Sequence, residues 1–482
     1  MKKGLMKLLS LLTTFLLSFS IVACSCAPNK NNEKTESNNS GGEQSATSSD
    51  TSNSNEDNDV SGDSSSGEVE ETRIEFEYAL SEDSTYYTVI GYSKIEGSTP
   101  SEKSKTLIIP DTHKNLPVKG IADGVFKYGN WEKVIIGKFV TDIGVGAFEY
   151  CTRLTEIEMS DSVKYIGKRA FAYCKFLTSV KIPDSVVSIG DEAFTWCLSL
   201  KSVAIGNSVE TIGKSAFRDC YVLTEVTLGE ALTTISEYAF FGSAYLKSLT
   251  IPQGVKTIQN KAFGNCFQLV EIYNKSTIEI NVGDEQNGGV GYYARAVHTQ
   301  PFESKLSTGE NGYVIYTDGD KKILIGYVGV ETALILPEGI SEINQYAFWG
   351  AYSEQCYNEA FEDSYHPITS VVIPDTVISI GESAFYGCDI LADITIGNGV
   401  EEIGKGAFAF CGELASIVIP ASVKSIGEYA FDCCSALRSV VFENKMGWSA
   451  DESNFSEEDM ADSAMMANYL SFNYSKYEWT RV

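Results

Sequence analysis

The chain has 482 residues, 43% of them hydrophobic and 11% aromatic, an ordinary balance for a folded protein that faces water. Its formal charge of -28 is not ordinary; by segment it runs +3 for residues 1–26, -9 for 27–72, -17 for 73–442 and -5 for the tail. No stretch after the N-terminus carries the Lys/Arg stripe that a phosphate backbone requires, so no nucleic acid is expected as a partner. An acidic surface is also repelled by anionic lipid headgroups, so any membrane association needs an anchor.

Lys2, Lys3 and Lys7 precede an apolar run of 16 residues from Leu8 to Ala23, the layout of a secretory signal peptide and short for a membrane span. The run ends Ile21-Val22-Ala23-Cys24, which resembles the lipobox of bacterial lipoproteins. That resemblance implies cleavage after residue 23 and a diacylglyceryl group on the Cys24 thiol. The chain would then be exported, held to the bacterial cell membrane by its N-terminal lipid and exposed at the surface; Cys26 fits the motif poorly. Residues 24–72 follow as the lipidated Cys and a Ser-, Asn-, Gly- and acid-rich tether. With almost no large apolar residue it cannot offset its ordering entropy, and about 46 residues of such chain span roughly 35–40 Å on average.

Residues 73–130 read as an N-terminal cap and an irregular first repeat, with strand-like Thr85–Ile90, Leu107–Ile109 and Val118–Ile121 leading to Phe126. From there one phrase recurs. Phe148, Phe171, Phe194, Phe217, Phe240 and Phe263 are each 23 residues apart, and Phe385, Phe408 and Phe431 resume the step after Phe348. The unit from Ile166 to Gly190 reads Ile-Gly-x-x-Ala-Phe-x-x-Cys-x-x-Leu-x-x-Val-x-Ile-Pro-x-Ser-Val-x-x-Ile-Gly. A fixed period of this size means stacked supersecondary units, none able to bury its apolar side alone. The first block covers 131–273. Its expected coil is a strand such as Leu177–Ile182 with Val180 and Ile182 inward, and a stop at Pro183 (Gly206 or Gly229 elsewhere). A second short strand at 186–189, a turn at Gly190 and a brief helical turn carrying Ala193-Phe194 complete it.

This pattern resembles a leucine-rich repeat, in the BspA-like (Treponema-type) version found on bacterial surfaces, over about 107–442. The resemblance implies an α/β repeat solenoid, a right-handed coil of 23-residue units with parallel strands on one side and short helical turns on the other, interrupted by an insert. It also implies adhesion to an extracellular protein, cell or glycan partner.

Phe263 and Phe348 are 85 residues apart, 62 more than one repeat. In this insert, 274–332, Tyr313–Tyr316 and Ile323–Ile325 flank Asp318-Gly319 as a hairpin. Leu334–Pro337 restores the phase for the second block, 333–442, which contains a smaller insert at 351–367 with Tyr352, Tyr357, Phe361 and Tyr365. The tail, 443–482, reads as a helix and a strand capping the last coil.

Chemistry is sparse. His113, His298 and His366 fall in three different irregular segments, so no catalytic triad or histidine metal motif can be composed, and neither an enzyme nor a cofactor is expected. Eight cysteines sit three residues after the repeat Phe: Cys151, Cys174, Cys197, Cys220, Cys266, Cys388, Cys411 and Cys434, with Ser243 and Ala351 elsewhere in the row. Exchange with Ser and Ala says that the site wants a small side chain. Side chains pointing the same way from neighbouring coils cannot converge as a disulfide demands, so buried thiols are expected; Cys356 and Cys433 lie off the row.

Two surfaces are candidates for ligand contact. Tyr150, Tyr173 and Trp196 hold the position two after the Phe in consecutive units, where the next units place Asp219 and Gly242. Stacked about 5 Å apart, they form either an exposed aromatic row for ligand contact or a layer packed over the convex turns that shields them. On the strand face the outward position is Glu158, Lys181, Ala204, Thr227 and Thr250 in the first block. It becomes Val372, Thr395, Val418 and Val441 in the second. Tyr352, Tyr357 and Tyr365 are a third candidate group. A surface-anchored binding protein is the leading function; a spacer or envelope component with no specific ligand is the alternative. A binding module should show a concentrated patch, and a spacer none.

Overall fold

The computed structural model describes residues 74–94, 105–349, 368–451 and 453–481. The expected signal peptide, Cys24, the tether, Cys356, His366 and the group Tyr352, Tyr357 and Tyr365 lie outside the described residues.

The described chain is a β-solenoid of about 14 turns. Each coil carries two short strands. The first, such as Ser179–Lys181, buries its middle residue and pairs in parallel with its counterpart one repeat on, Val180 beside Val203 and Val203 beside Val226. The second, such as Ser188–Ile189, does the same with Ile189, Ile212, Ile235 and Ile258 in one row. Because the register step equals the repeat length, every apolar position in the sequence becomes a row along the axis. The Phe row is the clearest. From Phe126 to Phe263 consecutive rings lie 5.1–5.3 Å apart and within 13° of parallel. Phe348, Phe385, Phe408 and Phe431 form a second row at 4.7–5.3 Å.

Among the described residues only about 4% are helical, and the helical turns expected around each Ala-Phe are not there. In the coil at Phe171, the N–H groups of Arg169, Phe171 and Tyr173 donate to carbonyls of the next coil, those of Asp191, Ala193 and Thr195, at 2.8–2.9 Å. Those of Ala170, Ala172 and Cys174 donate instead to the residue three back in their own chain. A helix would need every N–H directed back along its own segment. Left-handed residues on both sides of the Phe, Arg169 at φ 56° and Tyr173 at φ 60°, turn alternate N–H groups along the solenoid axis. The segment is thus a third strip of inter-coil hydrogen bonding.

An antiparallel hairpin, Ile74–Leu80 with Tyr87–Lys94, pairs through its second strand with Leu116–Ile121 and covers the N-terminal edge. The Phe row ends where the insert begins: Phe263 donates its N–H to Gly288, whose backbone takes the place of the next coil. A Cβ on Gly288, at φ 67°, would come within 2.5 Å of the Gln259 carbonyl oxygen, so a glycine is required there. The insert folds into antiparallel strands at Leu306–Thr308, Tyr313–Asp318 and Lys321–Tyr327, the last of which starts the second block by pairing in parallel with Glu342–Ile343. The C-terminal cap adds Trp479–Arg481 antiparallel to Ser425–Ile426 and to Trp448–Ala450. It also adds the helix Ser463–Asn468, whose first N–H groups are accepted by the Asp462 side chain.

Candidate functional site

The thiol row is internal. Cys151, Cys174, Cys197, Cys220, Cys266, Cys388, Cys411 and Cys434 are buried and unbridged. Each S–H donates to the carbonyl oxygen of the Phe in the preceding coil at 3.1–3.4 Å. Burial pushes the thiols of Cys151, Cys388 and Cys434 up to about 12, and those of Cys174, Cys197, Cys220 and Cys411 well above the ordinary value. A protonated thiol is neither a nucleophile nor a metal ligand. Cys433, off the row, is half-buried and lies 3.5 Å from the Asp432 carboxylate.

The histidines are kept apart. His113 stacks on Tyr78 at the N-terminal hairpin, while His298 stacks on Phe302 in the insert with its Nε2 3.9 Å from the buried Glu271 carboxylate. That carboxylate already accepts from the Ser304 hydroxyl and the Lys305 N–H, which ties the insert to the first block. No group of three or more His, Cys, Asp or Glu among the described residues could hold a metal ion. An open recess of about 400 Å³ near the N-terminus is lined by Thr112, Asn115, Pro117, Lys119, Phe139, Thr141 and Ser162, without a carboxylate, thiol or imidazole.

The aromatic row is longer and less exposed than a free ligand platform would be. It starts one coil earlier, with Tyr128, which is 69% exposed and also sits two residues after a repeat Phe. Tyr150, Tyr173 and Trp196 are half-buried rather than exposed. The rings stack on one another, Tyr128 on Tyr150 at 5.2 Å, Tyr150 on Tyr173 at 4.4 Å and Tyr173 on Trp196 at 6.1 Å, all within 21° of parallel. Their faces are therefore turned to each other, and the row presents ring edges and hydroxyls to solvent. Lys127 lies over Tyr128 and Tyr150, and Arg169 over Tyr173, adding cation–π contacts. The backbone at this position is left-handed in every one of these coils, φ 58–61°. Gly242, Asn265 and Gly387, residues such a conformation favours, fill it in three other coils, and Asp219, Phe410 and Cys433 hold it with the same left-handed backbone in three more. Five large rings, the four of this row and Phe410, run against the backbone preference.

The strand face divides the two blocks. Glu158, Lys181, Ala204, Thr227 and Thr250 are exposed in the first, where Lys133 pairs with Glu156 and Glu158. In the second, Ile335 is 74% exposed, Val372 41%, Val418 49% and Val441 42%, with Thr395 between them. Register places Ile335, Val372 and Thr395 side by side, and Val418 beside Val441. Ile335 belongs to this strip and was legible from its spacing to Val372 once the second insert is subtracted.

The pattern for the BspA type leucine rich repeat region matches in 6 copies, over residues 119–204, 168–283 and 354–479. Among solved structures, a leucine rich cell surface protein from Faecalibacterium prausnitzii A2-165 is 28% identical, covering 77% of this chain and 94% of that one with a TM-score of 0.38. A leucine-rich repeat protein from Bacteroides ovatus is 23% identical, covering 78% and 88%, with a TM-score of 0.38. The leucine rich repeat protein of T. pallidum is 28% identical, covering 45% and 94%, with a TM-score of 0.33. No curated protein matches. The family's repeats run through more than half of the chain, on the rows of Ile, Phe and Cys that build its core, and the chain belongs to the BspA-type leucine-rich repeat family.

Proposed function

We infer that this protein is a surface-displayed binding protein, exported and lipid-anchored at the bacterial cell membrane, that adheres to extracellular protein or glycan partners through its solenoid faces. One observation carries the reading: exposed aliphatic side chains recur along the strand face of the second block at Ile335, Val372, Val418 and Val441. The first block runs from Glu158 to Thr250 with only charged, small or hydroxyl side chains there, and leaves an aliphatic residue on that row only at Ile135, half-buried beside Ile108 at its N-terminal end. A spacer needs no such difference between its halves, because the buried rows that hold the coils together are the same in both.

The anchor rests on Ile21-Val22-Ala23-Cys24. Among the described residues no helix is long and apolar enough to cross a membrane. Replacing Cys24 by Ala should leave the protein without fatty-acid label and out of the membrane fraction; a variant still labelled and sedimenting with membranes would remove the lipid anchor from the reading. The aromatic row belongs to the same proposal as a second contact surface, offering edges and hydroxyls rather than flat faces. Substituting Ala at Tyr150, Tyr173 and Trp196 together should weaken attachment if the row touches the ligand. Binding itself is tested by probing arrays of matrix proteins and glycans with the full chain. Specific, saturable capture supports the binding reading, and silence on every array favours the spacer.

A further inference from the structure

Charge is distributed unevenly along the solenoid. Residues 131–273 hold 14 Lys and Arg against 15 Asp and Glu, whereas residues 333–442 hold 3 against 15. In the second half all three cations have partners: Lys405 pairs with Glu428, Lys424 with Glu401, and Arg438 donates to the carbonyls of Ser435 and Leu437. The carboxylates beside the aliphatic strip have no such cation. Glu338, Asp375, Asp393 and Glu443 are exposed at the ends or on the face of the strands that carry Ile335, Val372, Thr395 and Val441, and none makes an ion pair among the described residues. Asp375 and Glu443 accept backbone N–H groups from Asn398 and Ala421, which fixes their position but does not neutralise them.

We propose that the strand face of the second block is a docking surface for a cationic amphipathic helix, lying along the solenoid axis with its aliphatic stripe on Ile335, Val372, Val418 and Val441 and its Lys and Arg on the flanking carboxylates. This rests on the binding reading above and names the chemistry of the partner. Spacing selects a helix. Neighbouring rungs of a sheet are about 4.8 Å apart, so the five rungs, paired as a group of three and a group of two whose facing strands Asp393–Thr395 and Ser416–Ile419 lie in contact, span about 19 Å. A helix repeats its stripe about every 5.4 Å and covers that length in about 13 residues, keeping near register with the rungs. An extended strand on the same path would present like-facing side chains about 6.8 Å apart and fall out of register by the second rung. The charge argues against a second copy of this chain, whose acidic half would repel its counterpart, and against an anionic bilayer.

The test uses the full chain and a fluorescent synthetic peptide of about 14 residues, with Leu at i, i+3, i+4, i+7 and i+11 and Lys on both flanks. A permuted peptide of equal composition without the stripe is the control. The helical probe should bind at least tenfold more tightly than the permuted one, with affinity falling as salt rises. Replacing Ile335, Val372, Val418 and Val441 by Thr should cost at least tenfold while leaving the urea midpoint in place, since Thr already holds the position at Thr227, Thr250 and Thr395. Asp393→Asn with Glu338→Gln should weaken binding and flatten its salt dependence. Equal binding of the permuted probe, or a four-Thr variant that binds as the parent does, would overturn the proposal. If an array ligand is held equally by parent and four-Thr variant, the docking surface is wrong and the binding reading stands; if the parent holds none, that reading falls as well.

Discussion

Ser243 occupies the ladder position in the one coil between Cys220 and Cys266, and its buried hydroxyl meets no hydrogen-bond partner. The longer C–S bond lets every neighbouring thiol reach the Phe carbonyl of the coil before it, whereas Oγ stops short of Phe217. Ser243→Cys should therefore stabilise the fold by about 1 kcal/mol, read as a rise in the urea midpoint, because an unsatisfied buried hydroxyl is removed and a hydrogen bond gained. A fall in the midpoint would mean that the extra volume, not the missing bond, decides the site. The same row gives the protein an alkaline limit. Folded thiols held far above their unfolded value bind more protons than the unfolded chain does once the pH passes that value, so stability falls with rising pH. The loss should begin near the unfolded thiol value, about 8.5, and approach about 1.4 kcal/mol per thiol per pH unit up to about 12 for Cys151, Cys388 and Cys434. Urea midpoints compared at pH 8 and pH 10 check this, and a flat profile would put the thiols in contact with water.

At the scale of the element, the Ala-Phe segment is defined by its left-handed residues more than by its side chains. Tyr173, at φ 60°, stacks on Tyr150 and Trp196 while holding a conformation costly for any residue with a Cβ. Truncation to Ala loses the stacking and keeps the backbone cost; truncation to Gly loses the stacking and relieves it. Tyr173→Gly should then be more stable than Tyr173→Ala by about 0.5–1 kcal/mol, the reverse of the usual order, after allowing for the greater freedom of unfolded Gly. Parallel denaturation of the two variants decides it, and an Ala variant at or above the Gly variant would contradict the conformational argument. The same element explains the missing helical turns: Ala-Phe followed by Cys and Leu has apolar spacing that suits a helix in isolation, but the next coil offers a carbonyl to alternate N–H groups.

For the molecule as a whole, two Phe rows make two cores, joined by the insert rather than by continuous stacking. Phe267 stacks on Tyr346 at 3.9 Å, Gln268 donates to the Ala347 carbonyl and Tyr245 to that of Trp349, so the junction is closed by side chains. The open end of the second core is closed by the C-terminal segment, in which Trp448 and Trp479 are each 1% exposed and both pack on Phe442. Ending the chain at Glu443 should bare that core and leave Ser425–Ile426 as an unpaired edge. The expected outcome is a lower unfolding midpoint and self-association on size-exclusion chromatography. A monomeric truncated chain with the parental midpoint would show that the last coil needs no cover.

The repeat length alone determined the solenoid, the rows of Phe, Cys, Val and Ile, and the strands that carry the Val and Ile rows, because a register step equal to the sequence period stacks like on like. The break after Phe263 and the polar-to-aliphatic change between Thr250 and Val372 on the strand face were equally legible, as departures from a regular pattern. What the sequence could not decide depended on groups that carry no side-chain signature. Backbone N–H groups chose between their own segment and the next coil, and that choice replaced helical turns by a third strip of inter-coil bonds. Ring orientation at Tyr150, Tyr173 and Trp196 was likewise fixed by the coil spacing, which is close enough for the faces to meet and leaves edges toward solvent. Ion pairing was decided in three dimensions too: the charge totals are countable in the chain, but only the fold shows that the cations of 333–442 are engaged elsewhere and the carboxylates beside the aliphatic strip are not.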